Sequence, residues 1–150
     1  MAKSNNKVID DSIILARQLL RRDVLAAMDI LGMEAIKYAI TNHEFNNRTN
    51  NLEDSYGYAV YYNGSQINKV ITDKKATVLK GGKSGNEEAN TFLDNYNAGD
   101  GYTLVVVAGM YYAAYVEFEY GLDVLTGSYQ ETMNNIGKSF RKMKTSYNRI

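Results

Sequence analysis

The sequence predicts an α+β fold: a long N-terminal helix, a small antiparallel sheet (a hairpin plus further strands), a short helix in a long excursion, and a C-terminal amphipathic helix. Three observations carry this. Apolar residues recur at three-and-four spacing from Asp11 to about Ile40, and two strand-like runs flank Asn63-Gly64. Near the end, Tyr129, Met133, Ile136, Phe140, Met143 and Tyr147 repeat at spacings of 4, 3, 4, 3 and 4.

In the first helix Ile13, Ala16, Leu20, Val24, Ala27, Met28, Leu31, Ala35 and Tyr38 fall on one face, while Arg17, Arg21, Arg22, Asp23 and Asp29 fall mostly on the other. Asp10, Asp11 or Ser12 can cap its start by accepting orphan backbone N–H bonds, and Gly32 is a place for a bend or a split. Residues 1–10 then read as a flexible arm on a single domain spanning 1–150. Thr41 to Asp54 is polar and Asn-rich and reads as a loop. Tyr56 to Tyr62 and Ile67 to Thr72 read as the hairpin strands around Asn63-Gly64-Ser65-Gln66, with a third strand at Ala76 to Leu79. Lys80 to Asp100 forms an excursion in which Asn86 can cap a short helix through Glu87, Glu88, Phe92, Leu93 and Tyr96. Thr103 to Ala108, β-branched and apolar between Gly101 and Gly109, reads as a strand buried on both faces. Helices are then expected on one face of the sheet.

Composition narrows the function. Seventeen basic and seventeen acidic residues cancel, which argues against a protein whose main task is to coat nucleic acid. There is no cysteine, so disulfides, thiol nucleophiles and Cys-ligated metal sites are excluded. The first residues lack a signal peptide's apolar core, and no apolar run approaches the roughly 18 residues of a membrane span, so a soluble protein without membrane contact is expected.

Catalytic constellations are hard to build. Lys80-Gly-Gly-Lys-Ser-Gly85 contains Gly-Lys-Ser, but the first glycine of a phosphate loop would fall on Thr77, so a surface loop is the better reading. His43 is the single histidine and sits in the Asn-rich loop. Glu117 and Glu119 share a face only on a strand, and the adjacent pairs Glu87/Glu88 and Glu53/Asp54 lack the spacing of a calcium loop. No enzyme, cofactor or metal site is expected. The basic residues Lys138, Arg141, Lys142 and Lys144 on the last helix either complement its dipole or face DNA phosphates.

The unusual stretch is Tyr111 to Tyr120, where Tyr111, Tyr112, Tyr115, Phe118 and Tyr120 alternate with Glu117 and Glu119 before Gly121. Tyrosine offers large contact area with a polar tip and suits interfaces, so an assembly role stands beside a place in the core.

Two segments resemble the tail-completion, or head-to-tail joining, proteins of tailed bacteriophages. Thr49-Asn-Asn-Leu-Glu-Asp-Ser-Tyr-Gly57 is similar to that family's Thr-Gly-Asn-Leu-x-x-Ser-Ile pattern leading from a loop into a strand, with Asn50 in place of the glycine and Thr49, Asn51, Leu52 and Ser55 matching. Ala108 to Phe118 resembles the signature Tyr-Ala-x-Tyr-Val-Glu-Phe, with Tyr112, Ala113, Tyr115, Val116, Glu117 and Phe118 in place. The continuation Glu119-Tyr-Gly-Leu-Asp-Val-Leu-Thr-Gly127 departs from the Gly-Thr and Pro-Phe-Leu stretch of many members.

The resemblance covers about residues 12 to 145. It implies a non-enzymatic virion component, assembled in the host bacterial cytoplasm, that forms a homo-oligomeric ring in the neck. Its partners would be further copies of itself, portal-adaptor proteins and tail proteins, with non-specific contact to packaged DNA through the last helix. Candidate interface residues on this reading are Tyr111, Tyr112, Ala113, Tyr115, Val116, Glu117, Phe118 and Tyr120. The rival expectation is a small nucleic-acid-binding module that stacks bases on a tyrosine-bearing sheet.

Overall fold

A computed structural model describes residues 2–42, 52, 55–72, 85–110 and 113–147, and the fold is α+β. Helix α1 runs from Ala2 to Asn42, 41 residues and about 60 Å. It reaches back over the residues expected as an arm, because no glycine or proline interrupts 2–31 and no cap at Asp10 to Ser12 stops it. Its second half supplies Val24, Met28, Leu31, Ala35, Ile36 and Ala39 to the core, whereas residues 5–22 are exposed throughout.

Gly32 does not split α1, which runs through it unbroken. The ring of Tyr58 lies directly over it, and a Cβ at this position would overlap three ring atoms. This glycine lets the helix and sheet approach.

Strands β1 (Tyr56–Tyr62), β2 (Ser65–Ile71) and β3 (Tyr102–Ala108) form an antiparallel sheet in the order β2-β1-β3. The β1–β2 turn is Asn63-Gly64, both with positive φ (47° and 77°), as a two-residue hairpin of that sequence requires. Asn63 also ties the turn to the chain ahead of β3, its side-chain oxygen accepting from Gly101 N at 2.9 Å and its N–H donating to Gly101 O at 2.9 Å.

The strand buried on both faces is β1, not the expected β3, which is a half-buried edge. Position in the sheet decides this, since only β1 has a strand on either side. Tyr56, Tyr58 and Val60 point into a core shared with α1, while Ala59 and Tyr61 point into a second, smaller core. That second core is closed by helix α2 (Gly85–Asn95) through Leu93, with Phe92 exposed and Tyr96, just past the helix, packing its ring 5.5 Å from that of Tyr61. The helices therefore cover both faces of the sheet rather than one. Asn86 lies inside the first turn of α2, where its amide donates to Thr72 O at 3.1 Å and its carbonyl accepts from Asn90 at 3.1 Å. Tyr61 Oη and Gln66 Nε2 both donate to Leu93 O at the end of α2, which also accepts from Tyr96 N at 3.4 Å. The expected strand at Ala76 to Leu79 lies outside the described residues, as does His43.

Tyr58 Oη donates to Asp29 Oδ1 at 2.6 Å, and Asn68 Nδ2 donates to the same oxygen at 2.5 Å. Burial, and then this bond to a carboxylate, push the Tyr58 phenol well above its ordinary value near 10. The unfolded chain releases that proton at its ordinary value while the folded chain keeps it. The stabilisation is thus complete below about pH 10 and declines as pH rises beyond it. Tyr58→Phe is expected to cost about 1–3 kcal/mol at neutral pH and to flatten the alkaline loss of stability, read from urea unfolding at both pH values.

Helix α3 (Ala113–Glu119) ends ahead of Gly121, whose φ of 64° turns the chain towards α4 (Thr126–Tyr147). Helix α4 packs along α1, not against the sheet. Its orientation reverses the expected one: Tyr129, Met133, Ile136 and Phe140 are exposed, while Ser128, Thr132, Asn135 and Ser139 turn inward. Small residues on α1 allow this approach, and Ser128 Oγ donates to Ala35 O at 3.0 Å. No helix among the described residues is long and apolar enough to cross a membrane.

Candidate assembly surface

The two segments that carry the resemblance meet in space. Leu52 and Ser55 are buried, and Ser55 closes a turn by giving its hydroxyl and its N–H to Leu52 O at 2.6 and 3.1 Å. Its own carbonyl accepts from Gly109 N at 2.9 Å, one step beyond the pairing of Tyr56 with Ala108. Leu52 shares a core cluster with Met110, Ala113 and Val124. The loop-to-strand motif thus fixes where the chain leaves β3. Thr49, Asn51, Tyr111 and Tyr112 lie outside the described residues.

Gly109 sits where this junction presses on α2. A Cβ there would meet Gly85 O, Ala89 N and Ala89 Cβ within bonding-like range, two of them backbone atoms that have nowhere to go. The glycine between strand and tyrosine segment is therefore a packing requirement.

In α3 the signature divides by face. Ala113 is buried and Val116 packs against the main core, whereas Phe118 is 80% exposed and Tyr120 64% exposed. Glu117 faces neither core nor partner alone: its Oε1 accepts from the backbone N of Thr126 at 2.8 Å and from the Thr126 hydroxyl. Asp123 Oδ1 accepts from Gly127 N at 2.9 Å. Two carboxylates thus occupy the N-terminus of α4, where they satisfy orphan donors and complement the dipole. Tyr56 Oη donates to Val124 O at 3.2 Å, anchoring the linking segment to the central strand. The outcome is a short helix tied to the core through Ala113 and Val116 and to the start of α4 through Glu117, with Phe118 exposed.

Of the basic residues, Lys138, Arg141 and Lys142 are exposed on α4, and Lys138 Nζ donates to Asn135 Oδ1 at 3.2 Å. Lys144 belongs to the same helix.

The spacing puts Tyr129, Met133, Ile136 and Phe140 on the apolar face of α4 and Ile13 and Leu20 on that of α1, yet all six are exposed. A signal existed for α1. A 150-residue domain is about 40 Å across, so a 60 Å helix cannot be covered by its own fold. Among the described residues no three His, Cys, Asp or Glu side chains are placed to hold a metal ion.

Compared with protein families, with curated proteins and with solved structures, the chain matches none of them.

Proposed function

We propose that this chain is a non-enzymatic structural protein of a tailed bacteriophage, forming a ring in the virion neck that joins the portal-adaptor complex to the tail. One observation carries the reading: Leu52 and Ser55 meet Gly109, Met110 and Ala113 at a single junction, and Phe118 on the following helix and Tyr120 just beyond its end are exposed. Large exposed aromatics on a rigid element are what an interface anchor needs, since little conformational freedom is lost on docking. The mechanism is geometric. Each subunit offers one patch to the next, and the rotation between patches closes the ring. The cations of α4 face packaged DNA or a neighbouring chain.

The nucleic-acid reading draws less support. Tyr56, Tyr58 and Tyr61 are buried in the two cores, so a stacking platform would be left with Tyr62 and Tyr102, and the Arg21 guanidinium already lies 4.1 Å from the centre of the Tyr62 ring.

A phage carrying Phe118→Ser with Tyr120→Ser tests the neck role. Both positions are exposed, so folding should change by no more than about 0.5 kcal/mol. Infectious yield should fall roughly tenfold or more, the consequence of losing anchors worth about 2 kcal/mol, with filled heads and separate tails accumulating. Normal yield from a stably folded variant overturns the assignment of these residues.

A further inference from the structure

The hairpin end of the sheet carries a basic groove, and the opposite end carries an acidic, aromatic corner. On α1, Val24, Met28, Leu31 and Ala35 are buried at spacings of 4, 3 and 4, and Arg17 and Arg21 continue that row towards the N-terminus at spacings of 4 and 3. The face that covers the sheet therefore turns basic where the sheet ends. There Tyr62 and Tyr102 oppose each other across β1 and β3 with ring centres 4.7 Å apart, and together with Ile14, Arg17, Leu20 and Arg21 they line an open groove. The Arg21 guanidinium lies 4.1 Å from the centre of the Tyr62 ring, and a guanidinium over a ring can still fork onto a carboxylate. No acidic side chain lines the groove, and neither arginine has an ion pair among the described residues. Two cations four residues apart on one helix face repel each other, and Ile14 and Leu20 are 53% and 50% exposed. A partner that fits must bring both a carboxylate and apolar bulk.

The chain has such a feature beyond the other end of β1, which lies about 20 Å away along the strand. Where α3 ends, Phe118, Glu119 and Tyr120 are exposed in succession. Glu117 is bonded to Thr126, whereas Glu119 has no hydrogen bond or ion pair among the described residues. It stands at the negative end of the α3 dipole, where a carboxylate is unfavourable until a cation meets it. We propose that the Phe118-Glu119-Tyr120 corner of one copy of this chain docks in the Arg17/Arg21 groove of a second copy, with Glu119 between the two guanidinium groups and the aromatic side chains covering Ile14 and Leu20. No residue of α3 lines the groove of its own molecule, so the contact is between copies. Groove against groove would bring four arginines together and corner against corner two glutamates. Charge therefore favours corner against groove, a head-to-tail contact that repeats. A free phosphate would pair with the arginines but leave Ile14 and Leu20 bare, and a base could not stack on the Tyr62 face that Arg21 occupies.

The contact deepens the ring reading, on which it rests for closure. Sedimentation velocity on the purified full-length protein tests it. The wild-type chain should self-associate as its concentration rises. Glu119→Arg should weaken this association roughly tenfold or more, and so should Arg17→Glu with Arg21→Glu, all three positions being exposed. The decisive sample is an equal mixture of the two variants. In it each corner finds an oppositely charged groove in the other chain, so association should return to the wild-type level with the two chains alternating. A mixture that stays as weak as its components would overturn the contact, and so would a wild-type chain that stays monomeric to millimolar concentration. Self-association that neither variant weakens would overturn the site. Loss of single-stranded DNA binding in Arg17→Glu with Arg21→Glu, without a change in self-association, would assign the groove to nucleic acid instead. Association in the mixture without neck density in particles would refute the neck role alone, and a neck ring whose Phe118 faces another protein would refute this contact alone.

Discussion

Gly32→Ala is expected to destabilise the fold by about 1–2 kcal/mol, against its local preference. In an isolated helix the change favours the helical state by about 1 kcal/mol. Here the new methyl would overlap the Tyr58 ring, which is fully buried and held at its tip by Asp29, so it cannot move aside. Overpacking of this kind costs about 1–3 kcal/mol and outweighs the gain. The sign reverses when the ring is removed. Tyr58→Ala alone should cost about 3–5 kcal/mol through the cavity and the lost bond, and Gly32→Ala added to it should recover up to about 1 kcal/mol. Urea unfolding of the four proteins measures this coupling. Additive effects would mean that the ring does not rest on the helix backbone.

The second large effect is at the junction. Gly109→Ala sets a methyl against the backbone of Gly85 and Ala89, and backbone atoms at the start of a docked helix yield less readily than a side-chain end. A loss of about 3 kcal/mol is expected, at the upper end for overpacking, together with detachment of α2 from the smaller core. Hydrogen exchange should localise the damage: amides of α2 exchange much faster, while those of the second half of α1 keep most of their protection. Unchanged protection in α2 would refute the close approach.

Much of the architecture was legible because its signals are local. Asn63-Gly64 announces its hairpin, since few other pairs adopt two positive φ angles, and the three-and-four spacing announces α1 and α4. What was not legible is which neighbour each face meets. The pattern of α4 fixes an apolar seam but not that Ser128, Thr132, Asn135 and Ser139 would be the inward row, because a close helix approach favours small residues as strongly as burial favours large ones. Likewise β1 and β3 both read as strands, and only the order β2-β1-β3 makes Tyr56–Tyr62 the central one.

The candidate surface was half legible. Phe118 on α3 and Tyr120 just beyond it stand exposed, while Glu117, expected at an interface, is engaged with Thr126 at the start of α4. A carboxylate three turns of chain ahead of a helix gives no local sign that it will cap it. Ser55 is a turn former whose partner in space, Gly109, lies 54 residues on in the sequence. Pairing of that range follows from topology and not from either motif alone.

The most direct test of the neck assignment is a cryo-electron microscopy reconstruction of the phage particle to which the proposal assigns this chain. The account predicts a closed ring of identical subunits between portal adaptors and tail, with Phe118 and Tyr120 at subunit or ring boundaries. Density for this chain elsewhere in the particle, or its absence from virions, would contradict it.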